Sequence, residues 1–220
     1  MPVKALFLGA IGTVSDTSDL QRQAFNRAFT DAGLDWNWEW KEYSELLKRS
    51  GGRRRVAEYA AARGQEVDAD AIHAAKVRHF EELAADGGNG PREGLAELVE
   101  AARARDIPVA FVTSTGRDQV ELTLRCAGDA LSESDLAFVG DRSQVENAKP
   151  APDIYALALD RLDLEPDDVL VIEDTPASAQ AALDAGLTRV IGAPTREAAD
   201  HDWQDGVEVV DRLSADLLDR

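Results

Sequence analysis

The chain has 220 residues, of which 24 are lysine or arginine and 42 are aspartate or glutamate, giving a formal net charge of −18 at pH 7. This negative charge argues against binding to nucleic acids and to anionic membrane surfaces, which attract positively charged proteins. The single cysteine, Cys126, cannot form an internal disulfide, and no apolar stretch is long enough to span a bilayer. The first residues also lack the basic and apolar segments of a signal peptide. We therefore expect a soluble, cytoplasmic protein.

Short apolar runs typical of buried strands alternate with amphipathic helical segments along most of the chain. The strand candidates are residues 3–8, 107–112, 136–139, 169–172, 189–191 and 207–210. Helices are expected at residues 92–105, 117–127, 154–162, 177–185 and 196–200. Strands separated by helices of this length predict an α/β fold, with a parallel sheet covered by helices on both faces. The C-terminal ends of such strands meet at one edge of the sheet, where ligands bind.

Residues 18–88 interrupt this alternation, because they contain no convincing strand. Helical periodicity occurs at residues 18–32, 39–49, 53–63 and 69–85, with glycines between the segments. We predict a helical domain of residues 17–88 inserted after the first strand, and a core domain formed by residues 1–16 and 89–220. The linkers near residues 14–17 and 87–91 are expected to act as hinges. Trp36, Trp38 and Trp40 are expected to pack inside the helical domain.

Two adjacent carboxylates, Glu173 and Asp174, follow the strand candidate at residues 169–172. An acidic pair at the C-terminal end of a strand can bind Mg²⁺, since this ion prefers carboxylates together with water and phosphate. The alternative is a local role, in which Thr175 caps a helix that starts at Pro176 and Asp174 compensates the helix dipole. These residues alone leave both interpretations open.

Lys149, Thr113 and Ser114 are candidates for phosphate binding. Two prolines close after Lys149 restrict its backbone, and an ammonium group held in place suits a phosphate. Thr113 and Ser114 follow the strand candidate at residues 107–112 and precede a helix, whose N-terminal amides can bind an anion together with a hydroxyl group. A surface lysine in a proline-rich turn and a hydroxyl residue that only caps a helix are the common alternatives.

Taken in this order, the segments resemble the haloacid dehalogenase superfamily of phosphotransferases. More narrowly, they resemble its phosphatase and phosphoglucomutase branch, in which a helical cap follows the first strand. The resemblance spans essentially the whole chain and implies a Rossmann-like core. It implies phosphate binding by Thr113, the family lysine at Lys149, and Mg²⁺ ligands at Glu173 and Asp174.

Within the helical domain, residues 22–26, 32–38 and 46–55 are similar to one subfamily, the xylulose 1,5-bisphosphate phosphatases. In that subfamily a Gly-Gly-basic segment of the cap reaches the distal phosphate of the substrate. The resemblance therefore implies that Gly52, Arg53 and Arg55 contact a substrate. Three successive arginines in a chain of net charge −18 also favour an anion site by themselves. A solvated helix face is the alternative.

The first motif departs from the family pattern Asp-x-Asp-Gly-Thr. Gly12 and Thr13 fix the alignment, so Gly9 and Ile11 stand where the family has its two aspartates. The resemblance implies that the first aspartate is the nucleophile and a Mg²⁺ ligand, and that the second is the general acid/base. Neither glycine nor isoleucine can attack phosphorus or transfer a proton. With the partner carboxylate missing, we also expect Mg²⁺ binding at the acidic pair to be weakened or lost.

These substitutions lead to three hypotheses. The first is a catalytically inactive family member that retains binding of a small phosphorylated metabolite such as a sugar phosphate. The second is a weakly active, Mg²⁺-dependent phosphatase of small phosphorylated sugars, in which Glu173 or Asp174 activates water. The third is a scaffold or interaction protein without a ligand. We favour the first hypothesis, because the two substitutions remove two separate catalytic functions.

Overall fold

The computed structural model describes residues 2–47, 51–85, 90–195 and 202–220. The chain divides into two compact units. Met1–Asp16 and Gly90–Arg220 form the first, here called the core unit, and Thr17–Asn89 form the second, the helical unit. No helix in the described ranges combines the length and the apolarity that a membrane crossing requires.

The core unit is built on a parallel sheet of six strands. They are β1 (Ala5–Leu8), β2 (Val109–Val112), β3 (Leu136–Gly140), β4 (Val169–Glu173), β5 (Arg189–Gly192) and β6 (Val207–Val209). Their order across the sheet is β3-β2-β1-β4-β5-β6, which places β1 between β2 and β4. Each strand lies within its predicted run or extends it by one residue, and the predicted α/β fold is confirmed.

Among the described residues, the helical unit consists of four α-helices. Four other α-helices, which belong to the core unit, cover its sheet. The helical unit contains α1 (Ser18–Asp31), α2 (Trp40–Leu47), α3 (Gly52–Ala62) and α4 (Ala69–Ala85). The core unit contains α5 (Leu95–Ala104), α6 (Arg117–Ala127), α7 (Asp153–Leu162) and α8 (Pro176–Asp184). These helices agree with the predicted segments. The predicted helix at residues 196–200, residues 48 and 49 of the second helical segment, and residues 87–89 of the second hinge lie outside the described residues.

Alternate side chains of β1 enter two different hydrophobic clusters, as the two-residue repeat of a strand requires. Leu6 and Leu8 belong to a cluster with apolar residues of α5 and α6. Ala5 and Phe7 belong to a second cluster, with residues of α7 and α8. Helices therefore bury both faces of the sheet, and β1 is buried along its whole length. The loop that follows β1 starts from this fixed position.

Aromatic side chains form the interior of the helical unit. Trp36 and Trp38 are buried and Trp40 is partly buried, so the predicted packing role is confirmed for the tryptophans. Trp38 meets Phe29 edge to face, with 4.7 Å between the ring centroids. Asn26 also fixes the backbone of Trp38, since its side-chain oxygen accepts a hydrogen bond of 2.8 Å from the Trp38 amide.

Candidate functional site

The loop after β1 begins at Gly9, whose amide donates a hydrogen bond of 3.0 Å to the Ile172 carbonyl of β4. Ile11 is partly buried and packs against the first hydrophobic cluster of the core unit. The structure therefore places these two residues at the C-terminal edge of the sheet, where the sequence predicted them. Neither carries a group that can act as a nucleophile or exchange a proton.

The carboxylate of Glu173 occupies the space next to Gly9. A Cβ atom built on Gly9 would lie 2.9 Å from Cδ of Glu173, and closer still to its Oε2 atom. Ordinary van der Waals contacts of a Cβ atom start at about 3.4 Å. Glu173 is 1% exposed and ends the buried strand β4, so it cannot turn towards solvent without leaving the core. A side chain at position 9 would have to displace it.

Two polar groups hold Glu173 in this position. Its Oε1 atom forms an ion pair with the Lys149 ammonium group and accepts a hydrogen bond from the Tyr155 hydroxyl. Burial, followed by the nearby charge of Glu173, raises the pKa of Tyr155 well above its ordinary value, so the hydroxyl remains a donor. The contacts join β4 to the loop before α7 and to α7 itself.

The Lys149 ammonium group has three acceptors for its three N–H bonds. It donates to the Val112 carbonyl at 2.7 Å, to the Tyr155 hydroxyl oxygen at 3.0 Å, and to Glu173. Its side chain is 9% exposed. The structure thus confines the predicted phosphate-binding lysine to an internal network of hydrogen bonds.

Thr113 and Ser114 also make internal hydrogen bonds at the end of β2. The Thr113 hydroxyl accepts one of 3.1 Å from the Thr115 amide and lies 3.1 Å from the Thr115 hydroxyl. The Ser114 hydroxyl accepts one of 3.2 Å from the Lys149 amide. Of the two, Ser114 contacts Lys149 directly. Each can still donate a hydrogen bond to an anion by turning its hydroxyl, because a hydroxyl both donates and accepts.

Asp174 packs against the loop after β1. A Cβ atom on Gly12 would lie 2.6 Å from Cγ of Asp174, and Gly12 has a φ of +90°, which only glycine adopts without strain. Burial, reinforced by the charge of Glu173, raises the pKa of Asp174 to about 8, against the opposing effects of Arg92 and Lys149. The neighbouring Thr175 caps α8, and its hydroxyl accepts a hydrogen bond of 3.3 Å from the Ser178 amide. The capping alternative is therefore correct for Thr175.

Arg92 ties this loop to the loop after β5. Its guanidinium group donates to the carbonyls of Gly12, Ala193 (2.7 Å) and Pro194. Its amide donates to the Val14 carbonyl at 2.9 Å. Planar guanidinium groups with several fixed N–H bonds suit this kind of bridging. The backbone around positions 9 to 14 is consequently held in one arrangement.

A family model described as haloacid dehalogenase-like hydrolase matches residues 3–186, which include all of these residues except those of the last loop. This match covers most of the chain. The chain belongs to the haloacid dehalogenase-like hydrolases. The family predicted from the order of the motifs is therefore confirmed.

Similar proteins indicate which type of haloacid dehalogenase-like hydrolase this chain resembles. The chain is 37% identical over 206 residues to the CbbY protein of Cupriavidus necator, covering 90% of this chain and 81% of that protein. It is 38% identical over 197 residues to CbbY of Cereibacter sphaeroides, covering 86% and 84%. The crystal structure of CbbY from Rhodobacter sphaeroides in complex with phosphate has a TM-score of 0.87 at 31% identity, covering 99% of this chain and 100% of that one. A mutant of the same protein in complex with xylulose 1,5-bisphosphate has a TM-score of 0.83 at 32% identity, covering 96% and 94%. The predicted CbbY-like type is confirmed.

Haloacid dehalogenase-like phosphatases generally use Mg²⁺, but the side chains of this chain do not fit that ion. Within the described ranges, no three His, Cys, Asp or Glu side chains come together as a metal-binding group. Position 9 supplies no carboxylate, and Glu173 is bonded to Lys149 and Tyr155. Asp174 is left as a single carboxylate with a raised pKa, which also weakens it as a ligand.

The predicted cap residues of this haloacid dehalogenase-like protein lie at the start of α3. Gly52 packs closely, because a Cβ atom there would lie 3.0 Å from the His73 ring. Arg53 is exposed and forms an ion pair of 2.7 Å with Asp70. Arg55 is 8% exposed, and its Nε atom donates to the Leu46 carbonyl at 2.9 Å. Substrate binding by these three residues remains a prediction.

Sequence reasoning missed three residues that shape these sites. Tyr155 lies in α7 outside any motif, and Arg92 makes contacts with residues about 80 and 100 positions away. In the helical unit, Lys76 is 2% exposed, and it donates a hydrogen bond of 2.9 Å to the Gln21 side chain. For Lys76 the sequence did contain a signal, because a lysine on the apolar face of a predicted helix is unusual. Tyr155 and Arg92 had no such signal.

Proposed function

We propose that this chain is a catalytically inactive member of the haloacid dehalogenase-like hydrolases, derived from CbbY-like phosphatases of phosphorylated sugars. This proposal rests on position 9, where the chain has a glycine in place of a nucleophile. Glu173 occupies the space that a nucleophilic side chain would need. Covalent phosphoryl transfer requires an oxygen nucleophile at this point. The hydroxyl group nearest to position 9 is that of Thr13. It is fully buried, so it is not available as a replacement nucleophile.

The general acid/base is missing independently. Ile11 cannot protonate a leaving oxygen, a step that contributes about 10²–10⁴-fold in enzymes that use it. Two neighbouring carboxylates are already engaged: Glu173 is bonded to Lys149 and Tyr155, and Asp141 caps its own turn by accepting from the Ser143 amide at 2.8 Å. The proposed inactivity thus rests on two separate losses.

The same contacts argue against the weakly active alternative with Glu173 as the base that activates water. A base that already accepts two charge-assisted or buried hydrogen bonds has to lose them before it can take a proton. A phosphorylated sugar, the ligand of the mutant CbbY structure, would have to compete with Glu173 for the Lys149 ammonium group. We therefore expect any binding of such a ligand to be weak in the wild-type protein.

Steady-state assays with p-nitrophenyl phosphate and xylulose 1,5-bisphosphate, each with Mg²⁺, test the proposal. We expect no turnover above that of a mock purification from cells lacking the gene. Activity that co-purifies with the protein and disappears in the Asp174→Asn variant would overturn the proposal. Activity that persists unchanged in Asp174→Asn would identify a contaminating phosphatase.

The matched positive control is the double variant Gly9→Asp with Ile11→Asp. If the remaining site is otherwise intact, Mg²⁺-dependent hydrolysis appears only when both aspartates are present. The two single variants then remain inactive, because each still lacks one of the two catalytic functions. This comparison separates the loss of the first motif from changes elsewhere in the chain.

A further inference from the structure

The Lys149 ammonium group is a cation at the C-terminal edge of the sheet, yet all of its hydrogen bonds end inside the protein. Its acceptors are the Val112 carbonyl, the Tyr155 hydroxyl and the Glu173 carboxylate. Of these three acceptors, only the Glu173 carboxylate carries a negative charge. The site therefore already contains one anion, covalently attached to the chain, in contact with the lysine.

The position of this anion depends on the glycine at position 9. A Cβ atom on Gly9 would lie 2.9 Å from Cδ of Glu173 and 2.9 Å from Oγ1 of Thr13. With any larger residue at position 9, the Glu173 carboxylate could not occupy its present place. The fully buried Thr13 hydroxyl finds no hydrogen-bond partner among the described residues, so an unused donor borders the same space.

We propose that Glu173 acts as an internal anion that closes a latent phosphate site formed by Lys149, Thr113 and Ser114. This inference rests on the proposed function only in that both concern the same site. The carboxylate satisfies the lysine and repels a second anion. Phosphate can therefore bind at this site only after the carboxylate is removed or turned away.

The geometry also specifies what the opened site would offer. Removing the Glu173 side chain frees one N–H bond of Lys149 and one O–H bond of Tyr155. The hydroxyl groups of Thr113 and Ser114 lie at the end of the adjacent strand β2, and Ser114 is already bonded to the Lys149 backbone. A tetrahedral oxyanion matches a cluster of one ammonium and several hydroxyl donors.

Calorimetric titration with inorganic phosphate, in the absence of Mg²⁺, tests this inference on the full chain. The Glu173→Ala variant removes both the charge and the bulk, and Glu173→Gln removes the charge but keeps the shape. We expect both variants to bind phosphate at least about tenfold more tightly than the wild-type protein, with Glu173→Ala the tighter. Circular dichroism and thermal melting establish that each variant is folded.

Two controls complete the design. Glu165→Gln changes the net charge by the same amount at an exposed position, and we expect it to bind phosphate as weakly as the wild-type protein. Adding Lys149→Met to Glu173→Gln should abolish the gained binding. Equal binding by the wild-type protein and both Glu173 variants would overturn the inference, and so would folded variants that do not bind. Because the readout is binding, either result leaves the question of turnover to the separate phosphatase assays.

Discussion

The Gly9→Ala substitution tests whether Glu173 really fills the space beside β1, because the sign of its effect on stability depends on that contact. Gly9 does not have the positive φ that makes alanine strained, unlike Gly12 at +90°. In open space, such a substitution stabilises a protein by about 0.4–1 kcal/mol, because it reduces the entropy of the unfolded chain.

The structure predicts the opposite sign for Gly9. The new methyl group would lie 2.9 Å from Cδ of Glu173, so the carboxyl group would have to shift. It cannot shift freely, because Lys149 and Tyr155 hold it. Overpacking in a closed site costs about 1–3 kcal/mol. For a chain of this size, each kcal/mol corresponds to roughly 2–4 °C in Tm.

A double-mutant cycle isolates the contact from other effects of the methyl group. We expect Gly9→Ala to lower the free energy of unfolding in the wild-type background, and to leave it unchanged or raise it in the Glu173→Ala background. Urea unfolding, followed by circular dichroism, measures all four proteins. If Gly9→Ala is neutral or stabilising in the wild-type background, Glu173 does not occupy this space and the reasoning is refuted.

Three further predictions concern charges in the core unit. Lys149→Met should destabilise the protein by about 3–5 kcal/mol, because it leaves the Glu173 carboxylate buried without its partner; in urea unfolding, the penalty should be much smaller in the Glu173→Gln background. Arg92→Ala should cost about 2–4 kcal/mol, because three carbonyls lose a charged donor, and Arg92→Lys should recover only part of that loss in the same assay. The Tm should rise between low and high NaCl concentrations, because the core unit carries 29 of the 42 acidic and 13 of the 24 basic residues, and salt screens their repulsion. A Tm independent of salt would contradict this explanation.

Local pattern was sufficient to predict most of the fold. The helix predicted at residues 117–127 has those bounds in the structure, since its apolar positions recur on one face and Gly116 and Gly128 flank it. The strand positions followed from short apolar runs, because both faces of a parallel sheet are buried. The hidden role of Arg92 was not predictable in this way, since its acceptors come from two loops that are far apart in the sequence.

The candidate site was predictable as a set of positions but not as a network. The order of motifs placed Thr113, Lys149 and Glu173 at the same edge of the sheet, and the structure shows contacts that link Lys149 to Glu173. The direction of the Glu173 side chain depends on the absence of a side chain elsewhere, at Gly9. A motif describes which groups are present, and this orientation follows from a group that is missing.

Charge balance explains why this site can be stable without the chemistry that its relatives use. A cluster of several carboxylates in a buried pocket repels itself, and a divalent cation is the usual means of neutralising it. In this chain positions 9 and 11 contribute no charge, the Lys149 ammonium balances the Glu173 carboxylate, and the raised pKa of Asp174 keeps that group largely protonated near neutral pH. Because the Arg92 guanidinium group also lies close to Asp174, the pocket carries no net negative charge from its own side chains. Restoring the two aspartates would add two negative charges to this balanced arrangement, so the restored protein should depend on Mg²⁺ for its stability as well as for any activity.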